Sequence, residues 1–366
     1  MLTELDETLL HQAATTFDNT DISDHRFFDR MVVGFHKEGA ANVIMGLAKY
    51  KNMNTFEGFA CVQHGDAQHN LRVARPLRPD VNDMVNAPVS VEFIEPLKSL
   101  RIKLDPGEHN TSFDVIYTGL TPPYEEGYHK ARSYGRLNQD YMRFDQVGVM
   151  NGWLDVGGQK IAVDDWYTFR DHSWGVRPGV GGFEPQTGPR PPGVGSLFIW
   201  LAFTTNEMGG QFQMAEDSEG NRMNLDGHMS WPDGSGKEVI YVTDLEHDIS
   251  FVPGTRVFDK AHLMVTTNDG KKWDIQAEAA GRSWVFKGTG YDGGYNDGLS
   301  LGAYRGEVYE HDVYDVTHPE ETILPNGDVI RPVHREQPVK LTVNGKPGYG
   351  HLPVINWGVV KKYGLS

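Results

Sequence analysis

Leu263–Ala277 reads LMVTTNDGKKWDIQA. Two runs rich in β-branched and aromatic residues, Leu263–Thr267 and Trp273–Ala277, flank Asn268-Asp269-Gly270. Asn-Asp-Gly accepts the left-handed backbone that a tight hairpin turn requires, so the segment predicts two antiparallel strands. The same grammar recurs outward in both directions. Ser90–Ile94, Leu100–Leu104, Phe113–Tyr117, Leu197–Thr204 and Lys340–Val343 are further strand-like runs. Pro325-Asn326-Gly327-Asp328 and Asn344-Gly345 are further turns. The 42 Gly and 20 Pro are spread along all 366 residues and are not pooled in one linker. Many short strands joined by turns imply an all-β fold. The one helical expectation is Glu4–Ala14, with Leu5, Leu9 and Leu10 on one side. Val176–Gly195 is the densest Gly/Pro stretch and divides the chain into near-equal halves of similar texture. It reads as a linker or as a long ordered loop at a site. Two β-barrel domains packed side by side are expected, over 1–178 and 179–366.

The net charge of −16 argues against nucleic acid and against an anionic membrane surface as partners. Aromatic residues at 11% supply a core and argue against global disorder. A single cysteine, Cys61, rules out a disulfide framework or a cysteine-based zinc or iron–sulfur site within one chain; it reads as a buried apolar residue. No apolar run is long enough to span a membrane, and Met1–His11 lacks a signal core. The expectation is a soluble cytoplasmic protein, with homo-oligomerisation left open.

Chemistry concentrates in Asp164–Arg177, DDWYTFRDHSWGVR. On an extended strand Arg170, His172 and Trp174 share one face, and Asp171 and Ser173 the other. Asp171 between two arginines stays ionised, and either orients His172 or holds an arginine. His172 titrates near neutrality and suits general acid–base work. The alternative is structural: the Arg170–Asp171–Arg177 group pins a barrel end and Trp174 is core. His36 closes the apolar run Met31–Phe35 and reads as a strand-end histidine or a pocket group. His311, Asp312, Asp315 and His318 carry metal-ligand chemistry but also read as a charged surface loop. Neither a His-Glu-x-x-His motif nor a dinucleotide loop nor a P-loop occurs. No metal and no cofactor are expected.

The Arg170–Arg177 stretch resembles the Arg-Asp-His/Arg-Ser-Trp-Gly-x-Arg signature of a bacterial family of two-domain lipocalin-like proteins. That family is distantly similar to carotenoid 1,2-hydratase (hydroxyneurosporene synthase), to AttH-type proteins and to fungal lipocalin-like Diels–Alderases. Phe27–His36 (FFDRMVVGFH), Ser90–Leu104 (SVEFIEPLKSLRIKL), Gly135–Trp153 and Gly348-Tyr349-Gly350 resemble other parts of the family in the same order. The chain departs from it in the length of Val176–Gly195 and in His351-Leu352-Pro353 after the Gly-Tyr-Gly. The resemblance implies two calycin-like barrels around an apolar pocket. It implies a cofactor-independent lyase, hydratase or isomerase acting on a bulky hydrophobic or aromatic small molecule. Asp171 and His172 would be catalytic; Trp153, Trp174, Trp200, His36, Arg170 and Arg177 would bind substrate. A non-catalytic carrier of the same ligand class is the competing expectation, because a fold does not decide between them. A structural β-protein without a pocket is a third.

Overall fold

The computed structural model describes residues 1–182, 188 and 193–366. Antiparallel strands dominate, as the hairpin grammar requires. Phe258–Thr267 and Lys272–Ala279 pair with Leu263 opposite Ile275 and Thr266 opposite Lys272. The intervening turn places Gly270 at φ 78°. The Asp269 carboxylate accepts from the Thr267 hydroxyl at 2.7 Å and from the Lys271 amide at 3.2 Å. The Asn344-Gly345 turn joins Pro338–Val343 to Lys346–His351, with Val343 opposite Lys346.

The first unit contains β1 (Phe27–Lys37), β2 (Ala41–Tyr50), β3 (Thr55–His64), β4 (Ala67–Pro76), β5 (Val85–Asn86), β6 (Val89–Glu95), β7 (Ser99–Leu104), β8 (Thr111–Gly119), β9 (Arg136–Val156) and β10 (Gln159–Val176). Their order in the sheet is β4-β3-β2-β1-β10-β9-β8-β7-β6-β5. The curled sheet is tied end to end where the Asn86 amide donates to the Phe56 carbonyl at 2.9 Å and Arg75 donates to the Val85 carbonyl at 3.0 Å. The second unit contains β11 (Gly195–Thr205), β12 (Gly209–Asp217), β13 (Arg222–Ser230), β14 (Ile240–Phe251), β15 (Phe258–Thr267) and β16 (Lys272–Ala279). After β17 (Val308–Asp315) it is completed by β18 (Pro338–Val343), β19 (Lys346–His351) and β20 (Val354–Gly358). Pairing runs β11-β12-β13-β14-β15-β16-β18-β19 and returns to β11, so this barrel is closed; β20 adds to β11. β17 belongs by pairing to the first sheet, where it lies along β4 with Tyr309 opposite Val73 and Asp315 opposite Ala67.

Each unit has its own apolar core. Met31, Val33, Phe35, Val115, Tyr117 and Trp166 belong to the first, and Leu201, Phe203, Phe212, Leu263 and Ile275 to the second. Strand alternation puts every second side chain of β1, β9 and β10 on the outer face of the first unit. There Val147, Tyr167 and Phe169 pack on Phe198, Trp200 and Ala202 of β11. The Tyr167 hydroxyl donates to the Ala202 carbonyl at 2.7 Å. Gly34 is required at this contact, since a Cβ there would meet the Phe169 ring at 2.4 Å.

The expected helix over Glu4–Ala14 is replaced by a single 3-10 turn, Glu4–Glu7. Asp6 accepts from the amides of Thr3, at 2.6 Å, and Phe17, at 3.0 Å. Leu9 and Leu10 find no apolar face to pack on and stay exposed. A segment this short does not hold a helix without such packing. Of the expected loop Val176–Gly195, the start is anchored by the Gly181 amide donating to the Leu301 carbonyl at 2.8 Å. Residues 183–187 and 189–192 of that loop lie outside the described residues. Cys61 is buried. Among the described residues no helix is long and apolar enough to cross a membrane.

Candidate functional site

The outer face of β1, β9 and β10 carries apolar residues at one end and ionisable residues at the other. Register explains the cluster. Ser173 lies opposite both Arg30 and Arg143, and Asp171 lies opposite both Val32 and Asp145. Directly opposed residues share a face, so Arg30, Arg143, Asp145 and Asp171 emerge together. The chain after β10 adds Arg177. The second half covers this patch with Phe198 and Trp200 from β11, with Phe286 and Tyr291, and with His334 and Glu336. Between the two halves lies a cavity of 160 Å³ lined by Arg30, Arg143, Phe169, Asp171, Arg177, Phe198, Trp200, Phe286, Tyr291, His334 and Glu336 among others.

The polar contacts form a chain. Arg143 Nε lies 3.5 Å from the Asp171 carboxylate, and Arg143 Nη1 lies 3.4 Å from Glu126. Glu126 is fully buried and also accepts from Gln211 at 3.1 Å, Gln213 at 3.2 Å and His129 at 2.8 Å. Burial pushes the Glu126 carboxyl upward, but Arg143 and the hydrogen bond from His129 outweigh it and hold it below the usual range. Asp145, buried beside that charge, is pushed well above the usual range and stays protonated. Arg177 Nη2 donates to the Tyr291 hydroxyl at 2.5 Å. Burial alone would raise the Tyr291 phenol; Arg177 and Arg30 outweigh it and lower the pKa below that of an ordinary tyrosine. His334 stacks on Phe286 with ring centroids 3.7 Å apart. Burial, together with Arg177 and Arg30, pushes it down to about 3, so it is neutral at pH 7.

The residues expected from sequence divide between two faces of β10. Asp171, Arg177 and Trp200 line the cavity. His172, Arg170 and Trp174 lie on the opposite face. His172 Nε2 is 2.8 Å from Asp29, and its ring lies against Phe144 and Trp174 at 5.3 and 5.5 Å. Arg170 donates twice to Gln146, at 2.9 and 2.6 Å, and stacks over Tyr117 inside the first unit. Trp174 is exposed. Trp153 is half-buried beneath Lys160 near the tip of the β9–β10 hairpin, apart from the cavity. His36 is buried between the halves, its Nε2 donating to the Gly350 carbonyl at 2.8 Å, with Tyr167 and Tyr349 beside it.

Arg30, Arg143, Asp145, Glu126, Tyr291, His334 and Glu336 did not stand out in the sequence. The signal available was parity: Arg30-Val32-Gly34 and Arg143-Asp145-Val147 alternate as Asp171-Ser173 does. Tyr291 sits in what reads as turn sequence. The histidines and carboxylates of β17 are otherwise engaged. Asp312 pairs with Arg72 at 2.7 Å, His311 faces Glu108 at 3.8 Å, and His318 accepts from the Glu320 and Glu321 amides. Among the described residues no group of three or more such side chains is placed to hold a metal ion.

A wider cleft of 1350 Å³ also lies between the halves, lined by Gly148, Asp165, Tyr167, His262, Lys340 and Tyr349 among others. Its charges are ordinary surface pairs, such as Lys340 with Glu38 at 3.2 Å and His262 with Asp274 at 3.2 Å. Buried ionisable groups with unmet hydrogen bonds distinguish the smaller cavity and make it the candidate site.

A family model described as a family of unknown function, DUF8625, matches residues 2–366. No curated protein matches the chain. Among solved structures, a candidate AttH protein from Nitrosomonas europaea is 11% identical, with a TM-score of 0.53, over 94% of this chain and 97% of that one. CghA is 9% identical with a TM-score of 0.47, over 91% of this chain and 89% of that one. The first of these likenesses concerns the fold: two lipocalin-like β-barrel units.

Proposed function

For this chain, which belongs to DUF8625, we propose a cofactor-independent lyase, hydratase or isomerase acting on a hydrophobic or aromatic small molecule. The observation that carries the reading is the aromatic-lined cavity between the halves. Phe169, Phe198, Trp200 and Phe286 give it apolar walls, while Asp171 and Tyr291 stand on the same lining. Aromatic walls exclude water and favour an apolar or π-rich body. Two oxygen groups of different acidity supply a proton acceptor and a proton donor. Tyr291, with its phenol tuned down by two arginines, gives a proton to one carbon of the substrate. Asp171, held by Arg143, takes one from the allylic carbon two positions along, which shifts the double bond, or from a water that attacks the neighbouring carbon. The reading keeps Asp171 of the expected pair and sets Tyr291 in the role expected of His172, whose side chain lies on the other face of β10. The hydratase-like class is what the sequence resemblance implies, and the fold shared with the AttH protein is compatible with it. We propose the division into units 1–178 and 179–366, with β17 lent by the second to the first.

The Arg143–Asp171 ion pair favours a second reading, a carrier, in which Asp171 is only an anchor. Deuterium incorporation separates the two. The protein is incubated in D2O with ring-sized enones and styrenes, and the recovered compounds are analysed by mass spectrometry. Proton transfer at carbon leaves deuterium or added water in the product. Asp171→Asn and Tyr291→Phe are each expected to slow this by about 100-fold or more while ligand binding persists. His172→Gln is expected to leave it intact. Bound compounds returned unlabelled by the wild-type protein would establish the carrier.

A further inference from the structure

We infer that the cavity takes an organic anion, a ring-sized carboxylate whose charged end is met by Arg30. This deepens the proposed function and rests on the same cavity.

Arg30 carries the argument. It is 3% exposed and lines the cavity. None of its three guanidinium nitrogens has a hydrogen-bond partner among the described residues. Its guanidinium carbon lies over the rings of Phe59, at 4.9 Å from the centroid, and Tyr291, at 4.8 Å. Cation–π contacts of this kind attract the charge but satisfy none of the N–H donors. A buried guanidinium with unmet donors is costly to a fold even where carboxylates, here Asp171 and Glu57, act on it without hydrogen-bonding to it. A planar guanidinium held in one orientation is preorganised for an acceptor of matching geometry, and a carboxylate matches it with two parallel hydrogen bonds.

The remaining charges agree. Three arginines line the cavity, Arg30, Arg143 and Arg177, against the two carboxylates Asp171 and Glu336. Asp171 is engaged by Arg143, and Glu336 is in contact with His351. Arg177 also keeps its Nε without a partner among the described residues. The neutral His334 adds no compensating charge. Glu126, behind Arg143, balances that arginine, so the unmet donors that face the cavity are chiefly those of Arg30 and Arg177. At 160 Å³ the chamber is about the size of a cavity that accepts one benzene ring. Aromatic walls with one buried guanidinium describe a small aromatic or cyclic carboxylate, or the ring-sized carboxylate end of a larger molecule.

The test compares benzoate with benzamide, which has the same shape without the charge, and with toluene. Affinity is read by calorimetry and by the rise in melting temperature, which reports binding to the native state. Wild-type protein is expected to bind benzoate at least tenfold more tightly than benzamide. Arg30→Met is expected to weaken benzoate by about 30-fold or more and leave toluene unaffected; Arg30→Lys is expected to fall between. If benzamide and toluene bind wild-type protein as tightly as benzoate, the inference is overturned while the apolar cavity of the proposed function stands. If none of the three binds, the cavity is not a ligand site and both readings fail together. A folded Arg30→Met protein that binds benzoate unchanged also overturns the inference. Should that variant not fold, the wild-type comparison decides alone.

Discussion

Phe169 lies across Gly34 on the face of the first half that packs against the second. A methyl group at residue 34 would sit 2.4 Å from the ring. Gly34→Ala is therefore expected to push Phe169 aside and lower stability by about 1–3 kcal/mol, as overpacking does, measurable by urea denaturation. His36 makes a different demand on the same interface. Burial, with His351 nearby, pushes it down to about 3. Its folded pKa is thus below the unfolded value of about 6.5. Between the two, the unfolded chain binds a proton that the native chain refuses, so stability is present above about pH 6.5 and is lost as pH falls toward 3. His36→Gln keeps a donor for the Gly350 carbonyl and removes the titration. Its stability is expected to fall less steeply with acid than that of the wild type, by about 1.4 kcal/mol per pH unit between pH 6 and 4. Denaturation curves across that range check it; parallel slopes would show that His36 takes up its proton without resistance.

At the scale of elements, β17 is held to β4 by more than its backbone. Arg72, 1% exposed, donates to Asp312 at 2.7 and 3.3 Å, and Asn70 donates to the same carboxylate at 2.9 Å. Asp312→Asn removes the nearer of the two carboxylates beside that guanidinium, leaving Glu310 at 3.8 Å, and is expected to cost about 1.5–3 kcal/mol. Hydrogen exchange over Val308–Asp315 should accelerate; unchanged protection there would mean the backbone ladder suffices. Strands of this kind were legible because alternation and turn chemistry are local: Leu263–Ala277 reveals its hairpin without help from distant residues. The pairing of β17 with β4 was not legible, since nothing in its own sequence names a partner so far away along the chain. The cavity was half legible for the same reason. Asp171 and Arg177 were visible because they crowd into one short segment. Arg30, Arg143 and Tyr291 come from three separate segments that only strand register and the covering second half bring together. Parity within β10 already separated Asp171 from His172, but deciding which face met the cavity required the tertiary structure.

Over the whole molecule, the two barrels share one buried face, apolar around Phe169 and Trp200 and ionisable around Arg30 and Asp171. The apolar part supplies adhesion. The ionisable part holds together because each group has a charge, an amide or a phenol near it or, like Asp145, sheds its charge; Arg30 is met by rings and by the charges of Asp171 and Glu57 but by no hydrogen bond among the described residues. Chain order adds a constraint of another kind. During synthesis on the ribosome β1–β10 emerge first, yet the outer edge of β4 waits for β17, which follows all of β11–β16. The second barrel in turn cannot close until β18 and β19 arrive near the very end. A nascent chain therefore displays a bare strand edge on the first half from β4 until β17, and on the second until β18 and β19, the situation in which strands recruit the wrong neighbour. Premature termination between β16 and β17 would release a product with both edges open, so messages truncated there should burden protein quality control more than those truncated before β11, which leave only the β4 edge bare.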